Sequence, residues 1–262
     1  MHLSGRFRRL SPWLLVIAVG TWAYYNSVHA AFIFDDQESI LENPSIRRLD
    51  VGALRPPPES PMAGRPLVNL SFAINYALGG LDPRGYHLAN RLIHLACALL
   101  VLSLFRRTLR APPMQPRVGD SADALALCAC LIWTTHPLLT ESVMYVTQRT
   151  ELLMAFCFLL TLYAVIQSAT RPGWRASAWK IVAVAACALG MGAKEVMAMA
   201  VPVAWLYDGS RRVDRVLPAG DRVALRFVAG AQQPGSGAGA STAMGSSGGR
   251  ISGGAQVAPT RR

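Results

Sequence analysis

Six apolar runs, at residues 12–31, 86–105, 122–135, 152–169, 178–192 and 196–207, are separated by segments rich in Arg, Pro, Asp and Gly. A straight α-helical crossing of a bilayer takes about 20 residues, so the third, fifth and sixth runs are short. Short spans fit by tilting little, by thinning the bilayer, or by ending in a water-filled cavity walled by protein. The pattern predicts an all-α polytopic transmembrane bundle of about six spans over residues 1–208. The first run follows Arg6, Arg8 and Arg9, as a signal peptide does. Its length, and Tyr24, Tyr25 and Asn26 where cleavage needs small residues, favour an uncleaved first span, although Ala30-Ala31 leaves a cleavage site open. Between the first two runs lies a long segment, 32–85, predicted to be the first outer loop. Pro56, Pro57 and Pro58 break any long helix there. The apolar stretch 66–78 is too short to span and reads as a helix lying on the outer membrane surface, begun by Pro66 and ended by Gly79-Gly80. Residues 209–262 form a basic tail, without apolar periodicity from about Gly230, and read as disordered, low-complexity and cytoplasmic.

Composition supports the membrane class. Hydrophobic residues make up 52% of the 262 and charged residues 16%, where a soluble domain carries about 25% charged. Mean hydropathy is +0.29. The net charge of +11 does not indicate nucleic acid, because the basic residues punctuate apolar runs instead of gathering on one polar face. They indicate orientation instead. With the N-terminus cytoplasmic, segments 1–11, 106–123, 170–180 and 208–262 hold 18 basic and 5 acidic residues, against 8 and 10 in the remainder. Basic residues stay on the cytoplasmic side during insertion. Cys97, Cys128, Cys130, Cys157 and Cys187 all lie in apolar stretches, and Cys128-Ala-Cys130 lacks the spacing of a zinc site, so they read as buried thiols.

Ionisable residues near bilayer depth are functional candidates because placing them there is costly. Here they gather at the outer ends of the runs: Asp35 and Asp36, His87 and Arg91, His136 and Glu141, Arg149 and Glu151, Lys194 and Glu195. Ordinary loop charges would have the same positions. Of the Asp35-Asp36 pair, one carboxylate is expected to face a reaction centre as a base and the other to cap or hydrogen-bond; an Asp turn before a short helix accounts for both equally. His136 precedes Pro137, which breaks the third run; the imidazole could bind phosphate or a metal, or satisfy the broken helix end. Glu141, Tyr145 and Arg149 are spaced i, i+4, i+8, one face of a new helix. Lys194 and Glu195 sit at a break in a long apolar stretch, either as a tight ion pair or as a split pair that neutralises and orients a phosphate. Gly190-Met191-Gly192-Ala193-Lys194 is not a P-loop, and the chain has neither a His-Glu-x-x-His nor a Gly-x-Ser-x-Gly motif. No nucleotide fingerprint is present, so a lipid-linked donor fits better than a soluble nucleotide.

Phe34-Asp35-Asp36 with Asn43-Pro44, then Gly64-Arg65-Pro66-Leu67-Val68-Asn69-Leu70-Ser71, form one set of motifs in the first outer segment. Tyr86-His87 with Asn90 and His94, Trp133-x-x-His136-Pro137-x-x-Thr140-Glu141, Arg149, Gly190-Met191-x-x-Lys194-Glu195 and Tyr207-Asp208 follow in order. The ordered set, from about Ala31 to Asp208, resembles the membrane O-mannosyltransferase-like proteins that carry tetratricopeptide repeats, part of the GT-C glycosyltransferase class. The resemblance implies a polytopic helical enzyme that moves a sugar, mannose-like, from a polyprenyl-phosphate carrier to a Ser or Thr hydroxyl of a protein acceptor. It implies an acidic catalytic residue in the first outer loop, here Asp36 or Asp35 with a slight preference for Asp36. The donor phosphate would meet Arg65, His87, His136, Arg149 and Lys194, with Glu141 and Glu195 orienting them. No metal ligands are assigned and no cofactor is implied outright, a divalent metal being left open. The lipid bilayer, the lipid-linked donor and a protein acceptor are the implied partners, and nucleic acid is not. The expected location is a bacterial inner (cell) membrane, with the site on its outer face. Members of that group continue through more spans and then a repeat array of about 34 residues per repeat. The chain has neither and reads as the N-terminal half, with a noncatalytic membrane scaffold or a truncated inactive fragment as the alternative. A transporter with a midplane site is disfavoured by the absence of an inverted repeat.

Overall fold

A computed structural model describes residues 3–112 and 114–216. Among these residues the chain is helical and contains no strand. Helix α1, Leu3–Ala23, is followed by a 3-10 turn at Tyr25–His29. The predicted first span, 12–31, thus loses its last turns to a tighter helix, where Tyr24, Tyr25 and Asn26 interrupt the apolar run. A loop of short turns leads to α2, Pro66–Gly79. Its bounds follow from backbone chemistry: Pro66 needs no N–H partner at the first helical position, and Gly80, at φ +62°, supplies the left-handed stop. Helix α3, Pro83–Leu109, starts with the Asp82 carboxylate accepting from the Arg84 N–H at 3.0 Å. It ends with Arg106 and Arg107 in the last turn, where cations suit the carbonyl end of the helix dipole.

Beyond α3 come a short α4, Gln115–Val118, and then α5, Ala122–Thr134, α6, Leu139–Met144, and α7, Arg149–Thr170. The last two described helices are α8, Trp174–Met191, and α9, Ala200–Val216. Among the described residues two helices have the length and apolarity to cross a membrane, Pro83–Leu109 and Val146–Thr170. Only 39% and 33% of their apolar windows are buried inside the protein, so most of each faces outward and calls for an apolar surrounding. The predicted sixth run is divided between a 3-10 turn, Glu195–Met199, and α9, which continues past the predicted tail boundary at 208. The rest of the predicted tail, 217–262, lies outside the described residues.

Side-chain contacts fix the helix directions. Gly20 of α1 abuts Leu95 of α3 and Thr134 of α5. The Tyr24 hydroxyl donates to the Thr134 carbonyl, which also meets His94 Nε2 at 3.0 Å. The C-terminal ends of α1 and α5 therefore lie beside the N-terminal part of α3. Helix α7 runs with α3, since Arg149 reaches Asn90 at one end and Arg107 reaches Tyr163 at the other. Helix α8 runs against α7, with Gly190 on Cys157 and Trp179 on Tyr163. All the turns predicted to be external are thereby brought to one end of the bundle.

Candidate active site

The first loop has its own apolar core. Ile40, Ile46, Ala53 and Met62 pack with Val68 and Phe72 of α2, Tyr86 of α3, Val146 and Ala193. One cluster thus joins the loop, α2, the start of α3, the α6–α7 turn and the turn after α8. Burying a loop requires partners for its backbone polar groups, and two asparagines supply them. Asn43 Nδ2 donates to Asn69 Oδ1 and the Ser39 carbonyl, its Oδ1 accepts from Ser45, and Asn69 Nδ2 donates to Ser45 Oγ and the Ala53 carbonyl. The Asn43-Pro44 and Arg65-to-Ser71 motifs are in part the internal frame of this loop.

Asp36 clasps the loop to the bundle. Its side chain is fully buried. Oδ1 accepts from the Thr147 backbone N–H at 2.8 Å and the Thr147 hydroxyl at 2.6 Å, and Oδ2 accepts from the Ile33 N–H at 3.1 Å. Asp35 differs: its N–H donates to the Tyr145 hydroxyl at 2.9 Å, while the residue itself is exposed. Burial pushes the Tyr145 phenol above its ordinary pKa, and the neighbouring Asp35 and Asp36 carboxylates add to the rise. Phe34, just before the pair, has φ +49°, a left-handed conformation uncommon for a bulky residue. It is 82% exposed and meets Tyr145 edge to face.

Arg149 is 1% exposed and crosslinks three helices. Its Nε donates to Asn90 Oδ1 at 2.7 Å, Nη1 to Asn75 Oδ1 at 2.6 Å and to Ser71, and Nη2 to the Tyr86 carbonyl at 2.9 Å. Its plane lies over Phe72, 4.7 Å from the ring centre. The resemblance places Arg149 toward the donor phosphate; in the structure each nitrogen of its guanidinium has an acceptor within the protein. The expectation that Glu141, Tyr145 and Arg149 share a helix face is corrected. Tyr145 is extended (φ −93°, ψ 116°) and separates α6 from the 3-10 turn Val146–Gln148 that precedes α7.

Lys194 pairs with Glu151 of α7, not with its neighbour Glu195, which is exposed; the tight Lys194–Glu195 pair is thereby excluded. The backbone at Lys194 is extended (φ −161°, ψ 139°), and adjacent side chains in extended chain diverge. The turn before it is held against α2 by the Leu67 N–H, which donates to the Gly192 carbonyl at 3.0 Å. Arg65, just before α2, is half-buried and donates to the Pro61 carbonyl. Glu141 is exposed and accepts from Gln148 at 3.3 Å, and His136 is exposed with Nδ1 accepting from the Leu138 N–H. His87 is fully buried, beside the Ala30 backbone and within electrostatic reach of Asp36 and Arg149. His94 stacks on Trp133 and meets Tyr24 edge to face, a packing role.

The predicted residues thus fall into two groups. Asp36, His87 and Arg149 are buried in the frame, whereas Asp35, His136, Glu141 and Glu195 are exposed and Arg65 and Lys194 half-exposed. Thr147 and Asn75, which anchor Asp36 and Arg149, escaped sequence reasoning; an isolated Thr or Asn in a polar turn carries no spacing signal. Beside Arg149, an open cavity of about 490 Å³ runs between α2 and α3, walled by Leu78, Leu88 and Leu92. Among the described residues, no three His, Cys, Asp or Glu side chains converge to hold a metal. The arrangement offers an exposed carboxylate on a pinned backbone, a partly open cation and an apolar groove.

No protein-family model matches the chain, and no solved structure matches it. Curated proteins do. Protein O-mannosyl-transferase Tmtc3 of Drosophila melanogaster is 32% identical over 181 residues, 62% of this chain and 19% of the relative. Protein O-mannosyl-transferase TMTC2 of Mus musculus is 32% identical over 176 residues, 63% and 20% of the two chains, and TMTC3 of Homo sapiens 29% over 164 residues, 59% and 17%. The chain spans about a fifth of the length of these relatives. Over that stretch its curated homologues are TMTC protein O-mannosyl-transferases, the group that its ordered motifs resemble.

Proposed function

We propose that this chain forms the N-terminal membrane part of a GT-C glycosyltransferase, moving mannose from a polyprenyl-phosphate carrier to a Ser or Thr hydroxyl of a protein. In this reading six spans cross the bilayer, the N-terminus is cytoplasmic, and the loop end of the bundle lies on the opposite side. The observation that carries the proposal is the division between the two aspartates: Asp36 is buried with both oxygens engaged, leaving Asp35 as the exposed carboxylate. Asp35, rather than Asp36, is therefore the base. It takes the proton of the acceptor hydroxyl as that oxygen bonds to the anomeric carbon, and the bond from that carbon to the carrier phosphate breaks. Lys194 and Arg65 supply positive charge to the departing polyprenyl phosphate, with Glu151 holding Lys194 in place. Glu195, Glu141 and His136 line the same end as polar groups toward the acceptor. The groove between α2 and α3 suits an isoprenoid chain.

The test is transfer of labelled mannose from polyprenyl-phosphate mannose to a Ser/Thr peptide. Asp35→Asn should lower transfer at least 100-fold, the lower end of what a general base contributes, while thermal unfolding stays unchanged. Full transfer by Asp35→Asn would refute the assignment. The scaffold alternative is favoured by one fact, that Asp36 and Arg149 spend their polar groups on packing; it requires that no lipid-linked sugar binds.

A further inference from the structure

At the end of α3 far from Asp35, a second cavity of about 490 Å³ opens between α1, α3 and α7. Its walls include Trp13, Arg106, Arg107, Arg110, Tyr163 and Thr170. Tyr86, at the loop end, and Arg106 stand on the same helix about 30 Å apart along its axis, the thickness of a bilayer's hydrocarbon core. The cavity therefore sits at the opposite membrane surface when α3 spans.

Among the described residues its charge is not balanced. Arg106 and Arg110 share a single carboxylate, Asp123, which accepts from both. Arg107 has no carboxylate partner among the described residues; its guanidinium lies 5.1 Å from the centre of the Tyr163 ring and reaches only the Tyr163 hydroxyl, at 3.5 Å. Tyr163 is itself held by Gln167 at 2.6 Å. Three guanidiniums against one carboxylate leave a pocket of net positive charge, with the Trp13 and Tyr163 rings at interfacial depth. Attraction to the helix C-terminus explains basic residues in the last turn of α3, yet it does not explain why Arg106 and Arg107 turn sideways onto Trp13 and Tyr163 around an open space.

We infer that this cavity is a binding site for the phosphate headgroup of an anionic phospholipid from the leaflet opposite the Asp35 site. Guanidinium forks match phosphate oxygens in pairs, and basic pockets between spanning helices at a membrane surface take anionic headgroups. A zwitterionic headgroup would bring its own cation against the arginines. The inference rests on the reading of α3 and α7 as membrane-spanning.

Native mass spectrometry of the full chain in neutral detergent tests it, with phosphatidylglycerol, phosphatidylcholine and inorganic phosphate as probes. One phosphatidylglycerol should be retained, at least tenfold more than phosphatidylcholine. The double variant Arg107→Gln, Arg110→Gln should lose that preference, and Arg107→Lys with Arg110→Lys should recover part of it. Equal retention of the two lipids, full preference in the Gln variant, or saturation by inorganic phosphate alone would overturn the lipid site. Carbonate extraction of the host membranes separates the two readings. A chain that stays in the pellet but lacks lipid preference overturns the site only, and a chain released by carbonate overturns the membrane reading and the site with it.

Discussion

Asp35 and Asp36 are chemically identical neighbours, and their surroundings assign them different work. Asp36 gives Oδ1 to the Thr147 backbone N–H and hydroxyl and Oδ2 to the Ile33 N–H. Asp36→Asn would keep one oxygen for Thr147 but turn its NH2 toward the Ile33 N–H, placing two donors face to face. The expected cost is about 1–3 kcal/mol, that of a buried donor left without its charged acceptor, read as a lowered thermal unfolding midpoint in detergent. A variant as stable as wild type would show that the clasp does not hold the loop. Phe34 belongs to the same device: its left-handed backbone turns the chain so that the first carboxylate stays outside and the next enters the protein. At this scale the sequence made the pair and a division between them legible, but not which aspartate takes which part. That depends on Thr147, 111 residues away along the chain, and on a dihedral angle that no residue type announces.

Helix ends were the most readable elements. Pro66 and Gly79-Gly80 bounded α2 to within a residue, and the apolar runs located α3 and α7 to within four residues at each end, because they rest on local backbone rules. What local rules do not reach was misread. The i, i+4, i+8 spacing through Tyr145 looked like a helix, but packing of Val146 into the loop core and hydrogen bonding at Asp35 hold Tyr145 extended. Lys194 took a partner 43 residues away, a choice made by α7 and α8 meeting side by side. That meeting depends on Gly190. A Cβ there would come within 2.6 Å of Met197 Cγ and 2.9 Å of Cys157 Cβ. Gly190→Ala should cost about 1–3 kcal/mol by overpacking and should move the turn that presents Lys194. Its unfolding midpoint checks this, and an unchanged value would mean that the interface yields freely.

Over the whole molecule, helices of alternating direction carry the loop, the α6–α7 turn and the turn after α8 to one end, and an apolar cluster binds those segments together. The outward faces of α3 and α7 remain apolar and uncovered, which fits a bilayer as the missing surrounding. Sequence alone conveyed which turns share an end because successive apolar runs joined by polar turns fold into helices that alternate in direction. It could not convey which polar groups the arrangement would engage internally, as it does the Arg149 guanidinium. The central claim is that this end of the bundle receives a lipid-phosphate sugar. Equilibrium binding of polyprenyl-phosphate mannose to the purified chain tests it most directly. Saturable binding is expected, weakened about tenfold by Lys194→Gln, since a charge-assisted contact contributes about 1.5–3 kcal/mol and 1.4 kcal/mol is a factor of ten. Arg117→Gln, on the far side, should leave binding unaltered. Absence of saturable binding, or equal affinity in the Lys194 variant, would contradict the account.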